Sequence, residues 1–145
     1  MTKYMLLTSY DGGGAPPMTE WKPDEVTAHI DFLQAINREL VENGELVEAQ
    51  ALAGLEQAKV VRSDGAAPVL TDGPFAEYKE FLAGYQMVDV DSEARAVEIA
   101  AQVSSAPGPG GKPLQQPIHV RQVMATELAD WTGPTPDGAR PGADG

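Results

Sequence analysis

The sequence has no cysteine, few basic residues and no long apolar segment. Without cysteine, disulfides and thiolate metal ligands are excluded, so any nucleophile or metal ligand must come from another residue type. A reducing, cytoplasmic compartment is therefore our default expectation. The apolar segment at residues 4–7 is far shorter than a signal-peptide core or a membrane span, and we expect no membrane partner.

Basic residues are outnumbered by acidic ones, 10 against 22, for a formal net charge of -12. This excess repels nucleic-acid phosphates and anionic lipids, so neither is an expected partner. The only two histidines, His29 and His119, are far apart in the sequence and lack neighbours at metal-ligand spacing. Dinucleotide fingerprints, phosphate loops and nucleophile elbows are absent from the sequence as well. We therefore expect no metal and no cofactor.

The spacing of apolar residues predicts an alternation of strands and helices. Strands are predicted at residues 3–10, 46–49, 59–62, 68–71, 84–91 and 117–125, and helices at 23–42 and 93–104. Pro23 suits the first turn of a helix, Asn43-Gly44 suits its end, and Ser92 suits the cap of the second helix. Asp64-Gly65 favours a hairpin between two of the strands.

One face of the first predicted helix is apolar. At 100° per residue this stripe contains Val26, Ile30, Leu33, Ile36, Leu40 and Val41. The opposite side carries Asp31, Gln34, Arg38 and Glu39. We expect the apolar side to pack on a sheet, and His29 projects into it.

The order of elements contains the β-α-β-β-α-β pattern of ferredoxin-like α+β folds, with the hairpin as an elaboration. Two helices cannot cover both faces of a four-stranded sheet, and an uncovered face favours association, so we expect a homodimer. One domain is expected over residues 1–126. The Gly- and Pro-rich residues 127–145 are expected to form a disordered tail.

Three stretches carry a resemblance to a known family: residues 3–7, residues 70–80 with Asp72-Gly73-Pro74-Phe75, and Gly84-Tyr85. Together with Gly44-Glu45-Leu46 and Val120-Arg121, they resemble the DGPF branch of the YCII-related proteins over about residues 3–124. The resemblance implies a dimeric α/β barrel made of two ferredoxin-like sheets. It also implies a cleft with a histidine and an aspartate, since Ala28-His29-Ile30 matches the sequence around that histidine in YCII relatives.

His29 and Asp72 are the candidate catalytic pair, and each has two interpretations. His29 is either a core histidine satisfied by one hydrogen bond or a cleft histidine tuned for proton transfer. Asp72 either accepts hydrogen bonds from its own turn or orients His29. The spatial separation of the two side chains decides between these interpretations.

Candidate substrate contacts are Tyr10, Phe75, Glu77 and Arg121. Phe75 and Trp21 suit the walls of a small apolar pocket, although Phe75 also suits the core, and Glu77 belongs to a charge cluster that suits solvent equally well. Arg121 shares a strand face with His119, and it either holds an anionic substrate group or forms an ion pair at a dimer interface.

The leading function is a small cofactor-independent enzyme that acts on a small molecule. The alternative is a non-catalytic ligand-binding or accessory protein, because DGPF proteins resemble components encoded beside extracytoplasmic-function sigma factors. A dimeric scaffold without a ligand is a third possibility.

Overall fold

The computed structural model describes residues 1–9, 15–72 and 82–124 of the chain. In chain order, its helices and strands are β1 (Thr2–Ser9), α1 (Pro23–Glu42), β2 (Leu46–Ala51), β3 (Lys59–Arg62), β4 (Val69–Asp72), β5 (Leu82–Val90), α2 (Glu93–Ser104) and β6 (Ile118–Gln122). The predicted tail, residues 127–145, lies outside the described residues. None of the helices in the described ranges is both long and apolar enough to span a bilayer.

Four strands form one antiparallel sheet in the order β2-β5-β1-β6. With α1 and α2 as the two crossovers, this is the strand order of a ferredoxin-like α+β fold, and the predicted fold class is confirmed. Among the described strands, β3 and β4 pair with each other as a separate two-stranded sheet, which is the predicted hairpin elaboration.

Local signals set the limits of both helices, which match the predicted limits. At the start of α1, Glu25 Oε1 accepts a hydrogen bond from the Lys22 backbone N–H at 2.9 Å. At its end, Gly44 adopts φ 72°, a conformation that favours glycine, and Glu45 N donates to the Leu40 carbonyl at 2.8 Å. Ser92 Oγ caps α2 by accepting from Arg95 N at 3.2 Å.

Both helices pack on one face of the sheet. The core between them contains Tyr4, Leu6, Ile36, Leu40, Val88, Val90, Ala96, Ile99, Ala100 and Val103. Successive strand residues point to opposite faces, so the even-numbered residues of β1 and β5 face the helices. The odd-numbered ones, such as Met5 and Met87, lie on the other face of the sheet, which no described element covers.

The predicted apolar stripe of α1 is wrong at two positions. Ile30 is 40% exposed and Val41 is 62% exposed, whereas His29, Ile36 and Leu40 are buried. The helix contacts the sheet along a narrow strip centred on the buried residues, so apolar side chains on its flanks stay in solvent. The predicted polar side, represented by Gln34 and Arg38, is exposed.

Candidate functional site

His29 lies in the first half of α1, and its side chain is only 6% exposed. Its Nδ1 atom is 3.0 Å from the backbone carbonyl oxygen of Pro107, in the segment that follows α2. A carbonyl oxygen can only accept a hydrogen bond, so Nδ1 carries the hydrogen of this contact. In the neutral ring, Nε2 is then the nitrogen with the free lone pair.

The segment around Pro107 is held in place by several backbone contacts. Leu114 N donates to the Ala106 carbonyl at 2.9 Å, and Gln115 N donates to the Ser104 carbonyl at 2.9 Å. The Gly110 N–H donates to Glu25 Oε2, which lies one turn before His29 on α1. This bond lowers the pKa of the Glu25 carboxyl. Glu25 and His29 therefore bind the backbone of this segment at Gly110 and at Pro107, and they hold the segment against α1.

Trp21, two positions before the first residue of α1, packs its ring against the ring of His29. The two ring centroids are 5.4 Å apart at an interplanar angle of 83°, which is an edge-to-face contact. The Trp21 indole N–H donates to the Pro16 carbonyl at 2.9 Å, so the indole itself is held. His29 is thus confined between Trp21 on one side and the turn of Pro107 on the other.

The contact with Pro107 defines which nitrogen of the neutral His29 ring carries the hydrogen. Within residues 1–9, 15–72 and 82–124, the ring makes no hydrogen bond besides the one to Pro107. Protonation at Nε2 would leave the Nδ1 contact intact, because Nδ1 is a donor in both states of the ring. The arrangement therefore suits a group that takes up and returns a proton without moving.

A second polar region lies on the uncovered face of the sheet. One row across the four strands, read from β2 to β6, consists of Glu48, Met87, Met5 and Arg121. The next row consists of Gln50, Tyr85, Leu7 and His119. Partial burial and the carboxylate of Glu48, which accepts a hydrogen bond from the phenol, raise the pKa of Tyr85. The first of these rows is acidic at the β2 edge, apolar on the two middle strands and basic at the β6 edge.

The described residues include only part of the predicted site. Asp72 ends β4 opposite Lys59, but its side chain is outside the description, as are Tyr10, Phe75 and Glu77. The pairing of His29 with Asp72 therefore stays a prediction. Arg121 is exposed and shares a face with His119, as the strand alternation predicts.

Within one chain, the structure does not bring Arg121 and His29 together. His29 belongs to the helix layer, whereas Arg121 lies on the opposite face of the sheet. A substrate contact by Arg121 stays a prediction. Across the described ranges, no three His, Asp or Glu side chains gather in a way that could hold a metal ion.

Sequence reasoning missed the role of Pro107, whose carbonyl lies 78 residues from His29 along the chain. No local signal marks this contact, since any residue type supplies a backbone carbonyl. Trp21 precedes His29 by eight positions, and the sequence does not predict the contact between their rings. It predicts Trp21 only as a wall of a small apolar pocket.

Comparison with known proteins gives two matches. A model of the YCII-related domain matches residues 2–107, a range that contains His29, Asp72 and Pro107. An uncharacterised protein of Rhizobium meliloti (strain 1021) is 33% identical over 86 residues, which are 59% of this chain and 69% of that protein.

Proposed function

The chain belongs to the YCII-related family, and we propose that it is a small cofactor-independent enzyme in which His29 exchanges a proton with a small molecule. The signature Asp72-Gly73-Pro74-Phe75 is the reason for assigning the chain to the DGPF branch of the family. The proposed compartment is the cytoplasm. The observation that carries it is the single hydrogen bond from His29 Nδ1 to the Pro107 carbonyl.

This bond selects the form of the ring that can act as a base. With the hydrogen held on Nδ1, the lone pair of the neutral imidazole is on Nε2. Histidine is the side chain that most often serves as a general acid or base in enzymes. Nε2 takes the proton of the substrate, and the same atom returns it to the product.

Asp72 is the proposed partner of the charged ring. A carboxylate near an imidazolium stabilises the positive charge and so favours proton uptake. The support is positional: Asp72 ends β4 and is the first residue of the signature Asp72-Gly73-Pro74-Phe75. If the aspartate faces only its own turn, His29 instead acts with Trp21 and Pro107 alone.

The proposed enzyme is a homodimer. The uncovered face of the sheet carries Met5, Leu7, Tyr85 and Met87, which are only partly buried in a single chain. Burying apolar area of this kind stabilises association by about 25 cal/mol per Å² of surface removed from water, before the costs of binding are subtracted. The expected oligomer is the dimer of two sheets that the family resemblance implies.

Nuclear magnetic resonance tests the histidine directly, because the chain has only two histidines. Long-range proton–nitrogen spectra are expected to show the Nδ1–H tautomer for His29. The variant His119→Gln removes the other ring and provides the assignment. Spectra that show the Nε2–H tautomer for His29 would contradict the geometry on which the proposal depends.

Turnover of a panel of small molecules tests the chemistry. For any compound that the wild type converts, His29→Gln and Asp72→Asn are expected to lower kcat by about 100-fold or more, as for loss of a general base. His119→Gln is the matched control and is expected to retain activity. A non-catalytic accessory protein would instead keep its partner binding in both variants. Equal activity of His29→Gln and wild type would refute the enzymatic role.

A further inference from the structure

We propose that Glu25 is a positioning residue for His29: its carboxylate holds the 106–114 loop against α1, and this loop fixes the hydrogen of the imidazole ring on Nδ1. The loop lies between α2 and β6 and supplies the Pro107 carbonyl. This inference rests on the proton exchange proposed above for His29 and adds a second residue to the same site. Glu25 acts on the ring through the backbone of the loop and takes no part in the proton transfer itself.

The loop is closed by contacts within its own backbone. Pro107 and Pro113 form an isolated β-bridge between its two arms. Gly108 N donates to the Lys112 carbonyl at 2.8 Å, and Gly111 N donates to the Gly108 carbonyl at 3.0 Å. Because these contacts join the arms and the tip, a displacement of the tip displaces the Pro107 carbonyl as well.

In the described part of the chain, two hydrogen bonds join the loop to α1, one near its tip and one at its base. Near the tip, the Gly110 N–H donates to Glu25 Oε2. At the base, His29 Nδ1 donates to the Pro107 carbonyl at 3.0 Å. Residues four apart lie on the same side of a helix, so Glu25 and His29 face the loop together. The loop is therefore held at two points one helical turn apart.

The bond near the tip is the stronger of the two. A hydrogen bond to an ionised carboxylate is charge-assisted, whereas the bond from a neutral imidazole to a carbonyl is not. The N–H groups of Gly110 and Lys22 lower the pKa of the Glu25 carboxyl, so this group is ionised at neutral pH. Its Oε1 atom accepts from Lys22 N at 2.9 Å, which fixes the side chain at the start of α1. The position of the loop is thus set by Glu25.

The conformation of the loop tip depends on glycine and offers a second way to disturb the same contact. Gly110 has φ 71°, in the left-handed region that favours glycine. A Cβ at this position would meet no atom within 4 Å, so Gly110→Ala strains the backbone without a steric clash. This variant alters the contact from the loop side, and a Glu25 variant alters it from the helix side.

The His29 ring needs the Pro107 carbonyl to keep one tautomer. The hydrogen bond made by one ring nitrogen determines which nitrogen carries the hydrogen. When the loop is displaced, Nδ1 loses its acceptor and the Nε2–H form becomes populated. In that form Nε2 is a donor and cannot take up a proton. Trp21 still packs on the ring, so we expect a change of tautomer without exposure of the histidine.

Nuclear magnetic resonance of the neutral ring measures this effect, with His119→Gln as the background for assignment. Glu25→Ala is expected to raise the ratio of the Nε2–H form to the Nδ1–H form at least about fivefold, as for loss of one hydrogen bond. Gly110→Ala is expected to raise it as well. Asp24→Ala is the matched control, because Asp24 is exposed and carries the same charge in the first turn of α1. It is expected to leave the ratio unchanged.

Glu25→Gln separates the loop contact from the cap of α1. The carboxylate offers one oxygen to the Lys22 N–H and one to the Gly110 N–H, whereas an amide has a single oxygen for both. The amide proton shifts of Lys22 and Gly110 show which of them keeps an acceptor. The tautomer ratio of His29 is expected to follow the Gly110 shift and not the Lys22 shift. This isosteric variant also answers the question if Glu25→Ala does not fold.

Turnover separates positioning from a purely structural role. For a compound that the wild type converts, Glu25→Ala is expected to lower kcat about tenfold, less than loss of the base itself, with KM nearly unchanged. In the His29→Gln background, the same substitution is expected to leave the residual kcat unchanged, because a residue that acts through another has no effect once the other is absent. A further fall in that background contradicts the positioning role.

The spectra distinguish failure of this inference from failure of the proposed function. A wild-type Nδ1–H ring whose tautomer ratio is unchanged in Glu25→Ala and in Gly110→Ala refutes the role of Glu25 and leaves the proposed function standing. An equal change in Asp24→Ala refutes it too, because the effect then comes from charge at the helix start. A wild type in the Nε2–H form refutes both.

Discussion

Arg95 at the start of α2 holds two glutamates that differ in burial. Its Nε and Nη2 atoms each donate to Glu45, to Oε2 and Oε1 at 2.9 Å, and Nη1 donates to Glu98 at 2.7 Å. The Arg95 side chain is 24% exposed, that of Glu45 15% and that of Glu98 63%. Since Glu45 follows the end of α1, the inner pair joins the α1–β2 turn to α2.

The two pairs are expected to contribute very different free energies. Loss of Glu45 removes two charge-assisted hydrogen bonds and leaves a mostly buried guanidinium without its planar partner. We expect Glu45→Ala to lower the free energy of unfolding by about 2 kcal/mol, below the cost of breaking a fully buried pair. Glu98→Ala, which removes an exposed pair one helical turn away, is expected to cost at most about 0.5 kcal/mol.

Urea unfolding at pH 7 measures both losses, and a cycle with Arg95→Ala isolates the two coupling energies. The bond from Arg95 holds the pKa of the Glu45 carboxyl below its usual value. A lowered folded-state pKa means that the stabilisation is present above the unfolded pKa of about 4.3 and is lost as the pH falls through the folded pKa. Equal costs for Glu45→Ala and Glu98→Ala, or a wild-type advantage over Glu45→Ala that is unchanged between pH 7 and 3, would refute this reasoning.

Three further substitutions test the contact between β5 and β2 and the packing of the core. A Cβ at Gly84 of β5 would lie 2.8 Å from the Gln50 carbonyl oxygen on β2. Gly84→Ala must therefore shift the backbone, and it is expected to lower the free energy of unfolding by about 1–3 kcal/mol in urea unfolding. An unchanged free energy of unfolding would show that the two strands are farther apart. Leu6 is fully buried and Val41 is 62% exposed, so Leu6→Ala is expected to cost about 3 kcal/mol and Val41→Ala less than about 0.5 kcal/mol. Comparable losses would contradict the burial of Leu6.

The elements that local signals define could be predicted from the sequence. Pro23, Gly44 and Ser92 mark helix limits through caps that involve only neighbouring residues, and both helices have the predicted bounds. Strand ends depend on the partner strand instead. The strand predicted to start at residue 84 starts at Leu82, because Leu82 and Gly84 pair with the end of β1.

The contacts that hold the candidate site could not be predicted in the same way. Glu25 binds Gly110, and His29 binds Pro107, across separations of 85 and 78 residues. A backbone N–H or carbonyl has no sequence signature, so only the folded chain reveals these partners. The position of His29 in the apolar stripe predicts that the ring is buried. It does not predict which atom accepts the hydrogen bond from the ring.

The two faces of the sheet separate the two roles considered for Arg121. The acid–base chemistry proposed for His29 belongs to the helix side of the sheet, and Arg121 lies on the other side. If Arg121 forms an ion pair at a dimer interface, the guanidinium is already occupied by a carboxylate and is a poor site for an anionic substrate. The self-association of Arg121→Glu decides this question: weaker association than wild type in sedimentation velocity assigns Arg121 to the interface, whereas unchanged association returns it to the candidate ligand contacts. In the first case, Arg121→Glu should lower turnover only at protein concentrations at which its dimer dissociates.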